Sequence, residues 1–242
     1  MPETLLPISS PGRSGNFLYS LLHVFLPAVC PVCGRLGRVV CEGCLMSQLR
    51  LTRALCVECG GFAPCALHRS SPYCYAGTSY DGVNREIVHV MKYRNGRSAA
   101  LLMGRLLAGA IAKPNADFIV PVPLHRESER EYNQAELIAR GAGRLWGIPV
   151  RPLLAWKRRV RRQAHKQGGE LRALPRDAIV VKSAPGVGAS AFLVDDVFTT
   201  GSTMRAARDA LLRAGVRMSG AMVWSGSEGR LMRPAGGNAD EA

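Results

Sequence analysis

Two adjacent carboxylates followed by a run of hydroxyls are the residues of this chain best suited to chemistry. Asp195 and Asp196 follow an apolar run, Ala191, Phe192, Leu193 and Val194, and precede Thr199, Thr200, Gly201, Ser202 and Thr203. Met204, Ala207, Leu211 and Ala214 then recur at spacings of three and four, the period of a helix. A continuous apolar strand suits the buried middle of a parallel sheet, where ligands sit beyond the carboxyl ends of the strands. Loop amides and a helix N-terminus attract phosphate, the hydroxyls add donors, and Gly201 lets the backbone approach closely. Two acids just before such a cradle can hold ribose hydroxyls, or a Mg2+ bridged to the ligand. The local expectation is a pocket for a sugar phosphate.

The second group with chemical potential is sulfur. All eight cysteines fall between residues 30 and 74. Cys30-Pro31-Val32-Cys33-Gly34 recurs as Cys56-Val57-Glu58-Cys59-Gly60, a tight turn that aims two thiolates at one tetrahedral metal. Cys41 and Cys44 complete the first set, which reads as a closed structural zinc site with Cys30 and Cys33. Cys56, Cys59, Cys65 and Cys74 form a looser second set, in which His68 could replace one thiol. Four closed positions leave no room for a reactive water, so the metal is expected to be structural. A segment this small folds on its metal.

A third feature is basic. Residues 157–166 carry six formal positive charges and are followed by Gly168 and Gly169. Such a hinged loop could close over a pyrophosphate. It could equally grip a nucleic-acid backbone, with Trp156 and Tyr93 available for stacking.

The elements that must position these groups alternate along the chain. Strands are expected over 73–80, 117–122, 150–154, 179–182, the acidic run and 216–225. Helices are expected over 18–26, 83–92, 98–112 and 133–146 and after Thr203. This alternation implies an α/β fold with an open parallel sheet, preceded by a small cysteine-rich zinc-ribbon domain. The expected divisions are a tail and short helix over 1–29, the ribbons over 30–74, the sheet domain over 75–225 and a disordered tail over 226–242. The 242 residues carry 32 basic and 18 acidic side chains, a net charge of +14 that draws polyanions. No apolar run approaches the ~20 residues that span a bilayer. The expected location is the cytoplasm, with no stable membrane insertion, and there cysteines serve metals more often than disulfides.

The stretch over 191–203 resembles the phosphoribosyl pyrophosphate (PRPP) motif of type I phosphoribosyltransferases. The wider chain is similar to the ComF family of ComFC/GntX-like phosphoribosyltransferase homologues, which carry an N-terminal double zinc ribbon. The matches are the cysteine knuckles, the basic turn over 91–96, Val120-Pro121-Val122-Pro123-Leu124-His125-Arg126, Asn133-Gln134-Ala135, a basic segment ending in Gln167, and the acidic motif. Glu131 stands where the family usually has a small residue, and the usual pattern over 163–174 is only partly present. The resemblance implies that Asp195 and Asp196 form the catalytic pair on the ribose hydroxyls. It implies that Thr199, Thr200, Gly201, Ser202 and Thr203 bind the 5-phosphate, and that Val122 and Pro123 occupy the pyrophosphate loop with Lys92 nearby. It also implies Mg2+ with PRPP, structural Zn2+, and a link to DNA uptake in natural transformation. The acceptor for a transferred phosphoribosyl group is not legible. A non-enzymatic alternative is a protein that binds single-stranded DNA or a DNA-uptake helicase and uses the PRPP pocket as a sensor.

Overall fold

The computed structural model describes residues 28–94, 96–125, 128, 130–157, 174–183, 186 and 188–227. The expected helix over 18–26, residues 158–166 of the basic segment, Gln167 and the tail from 228 lie outside the described residues.

Within the cysteine-rich segment lie a short helix, α1 (Glu42–Gln48), and a two-residue strand, β1 (Leu55–Cys56). Then come β2 (Tyr73–Ser79), α2 (Gly82–Tyr93), α3 (Arg97–Ala110) and β3 (Phe118–Pro121). Next are α4 (Gln134–Trp146), β4 (Leu154–Trp156) and β5 (Ile179–Val181). The chain closes with β6 (Ser190–Phe198), α5 (Ser202–Arg213) and β7 (Arg217–Gly226).

Five strands form the main sheet in the order β1-β2-β7-β6-β3. Every pairing is parallel except β1 with β2. The sheet is thus the expected α/β type, and β7, last in sequence, lies at its centre. Its buried middle explains why β6 reads as a continuous apolar run. Strands β4 and β5 form a separate antiparallel pair. The expected strand over 150–154 begins with a lone bridge from Val150 to Ile119, and its regular part lies further on, in β4.

Side chains alternate across the sheet into two cores. Phe192, Val194, Met222 and Trp224 pack with Ile87, Met91, Met103, Leu107, Ile138 and Trp146 of the first three long helices. Leu193, Ala221 and Val223 pack on the opposite side with Met204, Ala207 and Leu211 of α5 and with Leu154 and Ile179. Helices α3 and α4 approach so closely that a Cβ at Gly104 would lie 1.9 Å from the Ile138 carbonyl oxygen, and one at Gly141 would lie 2.0 Å from that of Leu101. Only glycine permits that packing, which fixes the α4 N-terminus beside the sheet end.

The cysteine-rich segment is joined to the sheet. Cys30, Cys41, Cys44 and Leu45 belong to the same core as Met222 and Trp224, while β1 extends the sheet edge. The division expected after Cys74 therefore falls inside β2, where Cys74 pairs with Ala221.

Candidate functional site

The acidic motif adopts the expected strand, loop and helix. Gly201 has φ of +71°, and a Cβ there would lie 2.5 Å from the Phe198 ring, so the loop over 199–203 needs glycine at that point. Gly201, at the N-cap of α5, offers its first-turn amides no side-chain acceptor. The Thr200 and Ser202 hydroxyls lie 3.0 Å apart, and the Ser202 amide donates to Thr200 Oγ1 at 3.4 Å. Amides, hydroxyls and the positive helix end gather as a phosphate cradle requires.

Asp195 and Asp196 stand just before this loop, but their environments differ. Neighbours on a strand point to opposite sides. Asp196 is 8% exposed, and its Oδ2 lies 3.0 Å from Lys92 Nζ and 3.7 Å from Arg130 Nη1. Asp195 is partly buried, and its Oδ1 accepts a 2.8 Å bond from the Asp196 amide. Burial and the neighbouring Asp196 charge push the Asp195 carboxyl up to about 7. The two acids are thus not equivalent: one is neutralised by cations, and the other is poised to titrate near neutrality.

Lys92, at the last turn of α2, reaches the acidic motif at Asp196. Arg130 is a site residue that sequence reading missed. Its Nη1 donates to Gln134 Oε1 at 3.0 Å, and its guanidinium lies 6.0 Å from the Tyr93 ring centroid. Arg130 Nε and Gln134 Nε2 are buried without a partner among the described residues. Gln134 is 1% exposed and opens α4, so its idle donor is costly unless something accepts from it. The Arg-x-x-Asn-Gln spacing carried a signal, since it places a guanidinium four residues before a helix-start amide. Tyr132 pins this stretch by donating to the Met91 carbonyl. The Glu131 side chain is 74% exposed, with Oε2 3.8 Å from Arg97 Nη2.

Val122 and Pro123 hold the turn after β3 but offer few free groups. The Val122 amide donates to the Val194 carbonyl, and the Val122 carbonyl accepts from Asn133 Nδ2, each at 2.9 Å. The Pro123 carbonyl accepts from Trp156 Nε1 at 2.9 Å. These two residues shape the loop, and the donors without a partner among the described residues near it are Arg130 Nε and Gln134 Nε2.

Two clusters fit a tetrahedral metal. Cys30, Cys33, Cys41 and Cys44 place their ligand atoms within 4.8 Å of one another, as do Cys56, Cys59, Cys65 and His68. Sulfur separations are 3.8 Å for Cys30–Cys41, 3.6 Å for Cys33–Cys41 and 3.7 Å for Cys59–Cys65. These match the ~3.8 Å edge of a tetrahedron built on ~2.3 Å zinc–sulfur bonds. Burial raises the Cys30 thiol, yet backbone hydrogen bonds at Cys41, Cys33 and Val32 outweigh it and bring the group to about 6. A turn that stabilises thiolate in this way is a turn suited to a cation.

The expected ligand Cys74 is corrected. It lies in β2 and packs in the second core, where burial and the charge of Asp195 push its thiol up. His68 fills the fourth position instead, with Nδ1 3.5 Å from Cys65 Sγ. The nine-residue gap to Cys74 spans the entry to a strand, and strand pairing takes that cysteine away from the knuckle.

No family model matches the chain. The resemblance to the ComF family is nevertheless borne out by a relative, Competence protein ComFC of Bacillus subtilis (strain 168). The two are 29% identical over 194 residues, covering 77% of this chain and 72% of that protein. Among solved structures, an allosteric regulatory enzyme of purine biosynthesis aligns at 25% identity and a TM-score of 0.36, over 51% of this chain. The chain spans only 25% of that enzyme's length. An adenine phosphoribosyltransferase from Thermoanaerobacter pseudethanolicus aligns at 14% identity and a TM-score of 0.36, over 75% of this chain and 85% of that one. No helix among the described residues is long and apolar enough to cross a membrane.

Proposed function

We propose that the chain binds PRPP at the carboxyl ends of β3 and β6 and transfers its phosphoribosyl group to an acceptor. The observation that carries this reading is the group at Asp196: two cations and two buried donors without acceptors, beside a hydroxyl loop that heads a helix. A bound anion would satisfy those donors and replace the carboxylate as the partner of Lys92 and Arg130.

The 5-phosphate belongs on the loop over 199–203. Released from Lys92 and Arg130, Asp196 accepts from the ribose hydroxyls together with the neighbouring Asp195. In transfer, the bond from C1′ to the pyrophosphate oxygen breaks, its electron pair leaves with pyrophosphate, and the ribose becomes oxocarbenium-like. Lys92 and Arg130 offset the charge gathering on the leaving group. The acceptor closes the bond at C1′ and loses a proton. Asp196 already has two cationic partners, so the donor set suits Mg2+ arriving with the ligand's phosphates better than a resident ion. Bound in that way, Mg2+ neutralises phosphate charge.

Calorimetry tests this directly. Asp196→Asn removes a charge-assisted contact and is expected to weaken PRPP binding in the presence of Mg2+ by about 10- to 100-fold, with an unchanged circular dichroism spectrum. Equal affinity in variant and parent removes the ribose assignment.

A second reading has its own support, the net charge of +14. Here the protein acts as a single-stranded-DNA-binding adaptor in DNA uptake, meets a helicase partner, and uses the same pocket to sense PRPP. The competence role named for its relative agrees with this reading.

A further inference from the structure

The second cysteine cluster lies against the helix that carries the phosphate loop, and the Arg205 guanidinium ties its turn to the loop itself. Arg205 Nη1 donates to the Glu58 carbonyl at 2.9 Å and to the Thr200 carbonyl at 3.0 Å. Glu58 sits between two ligands of the cluster, Cys56 and Cys59, so its carbonyl is fixed only while that turn keeps its shape. Thr200 lies in the loop proposed to hold the 5-phosphate.

The rest of the contact keeps the bridge in register. Arg205, Arg208 and Asp209 fall at i, i+3 and i+4 on α5, and so share one face. The Glu58 carboxylate pairs with Arg208 and, at 2.6 Å, with Arg176. Arg208 in turn holds Asp209 at 2.8 Å. Arg208 is nearly buried at 11% side-chain exposure, which makes its pairing less open to solvent screening than a surface ion pair. Within the loop, an added Cβ at Gly201 would lie 3.1 Å from Arg205 Nη1, so the guanidinium packs directly beneath the turn.

We propose that Arg205 is a positioning residue through which the Cys56/Cys59/Cys65/His68 cluster sets the shape of the phosphate loop. Metal loading of the cluster holds the Glu58 carbonyl, Arg205 carries that position to Thr200, and the loop is thereby preorganised for an anion. The effect on ligand affinity rests on the PRPP reading above, whereas the mechanical tie does not.

The experiment separates the two. Amide hydrogen exchange is followed across residues 199–204 in the full chain for the parent, Arg205→Ala and Arg205→Lys, each with metal and after chelation. Ribose 5-phosphate is titrated into the same samples. The tie predicts about fivefold or faster loop exchange in Arg205→Ala, with exchange in β6 unchanged. Chelation of the parent should reproduce that change, chelation of Arg205→Ala should add nothing to it, and Arg205→Lys should restore part of the protection. Ribose 5-phosphate affinity should fall about tenfold in step with the exchange. Loop exchange that ignores Arg205→Ala, or an equal chelation effect in parent and variant, overturns the proposal. Coupled exchange in a parent that does not bind ribose 5-phosphate upholds the tie and refutes the phosphate reading. Because the chelation arm needs no substitution, a poorly folded variant leaves the parent's response to decide.

Discussion

Burial and the charge of Asp196 hold the Asp195 carboxyl at about 7, against 3.8 for a free aspartate, and this links folding to pH. A raised carboxyl favours the protonated form in the folded chain. Its contribution to stability is complete below about pH 4 and is lost as pH rises through 7. The groups around it are Asp196, Lys92, Arg130 and the buried thiol of Cys74. Asp195→Asn should therefore melt a few degrees above the parent at pH 8, with a smaller gap at pH 5 that closes below about pH 4, as read by calorimetry. Glu58 is held low by Arg208 and Arg176 despite its burial, so it pulls the other way, and the difference between variant and parent is the quantity to follow. A difference that does not change between pH 5 and 8 would show that Asp195 titrates normally. At this scale the sequence displayed both acids and the loop hydroxyls, because they are adjacent in the chain, whereas Lys92 was named only through the family resemblance. Arg130 and Arg205 were hidden because their meaning comes from partners far away in sequence, Asp196 for the first and Glu58 for the second.

Elements with a strong period were legible to within a residue or two. The α4 start is marked by Asn133, whose Oδ1 accepts from the Ala135 amide at 3.1 Å, and its end by Gly147 in a left-handed conformation. The two-residue β1 and the seven-residue α1 lacked enough length to show a period. The second knuckle misled for a different reason: counting cysteines favours Cys74, whereas strand pairing claims it. Zinc stoichiometry checks the correction. By atomic absorption, Cys74→Ala should retain two zinc ions per chain, and His68→Ala should fall to about one at limiting free zinc. The reverse pattern would restore Cys74 as the ligand. Thermal stability complements this test, since Cys74→Ala opens a small gap in the second core with a cost of ~1 kcal/mol.

Across the whole molecule, the excess of 14 positive charges is a property that composition alone displays. Under the DNA-binding reading, affinity for single-stranded DNA should fall steeply with salt, losing ~0.7 of a logarithmic unit per logarithmic unit of salt for each phosphate neutralised. Asp196→Asn should leave that slope unaltered, since the pocket and the DNA surface are then separate. A flat salt response, or no measurable DNA binding at low salt, would remove this reading and leave the transferase. The cysteine-rich segment and the sheet share a core, in which Cys30, Cys41, Cys44 and Leu45 pack with Met222 and Trp224. Sequence spacing cannot reveal such fusion, which depends on which faces meet.

The place of β7 carries a consequence for biosynthesis. The last strand among the described residues, Arg217–Gly226, lies between β2 and β6. Until the ribosome has delivered it, the earlier strands form two separate pairs and no continuous sheet, and the acidic strand lacks one of its two neighbours. A nascent chain halted before residue 217 would expose both apolar faces and hold an unformed pocket, making it a client for chaperones and not a partly working protein.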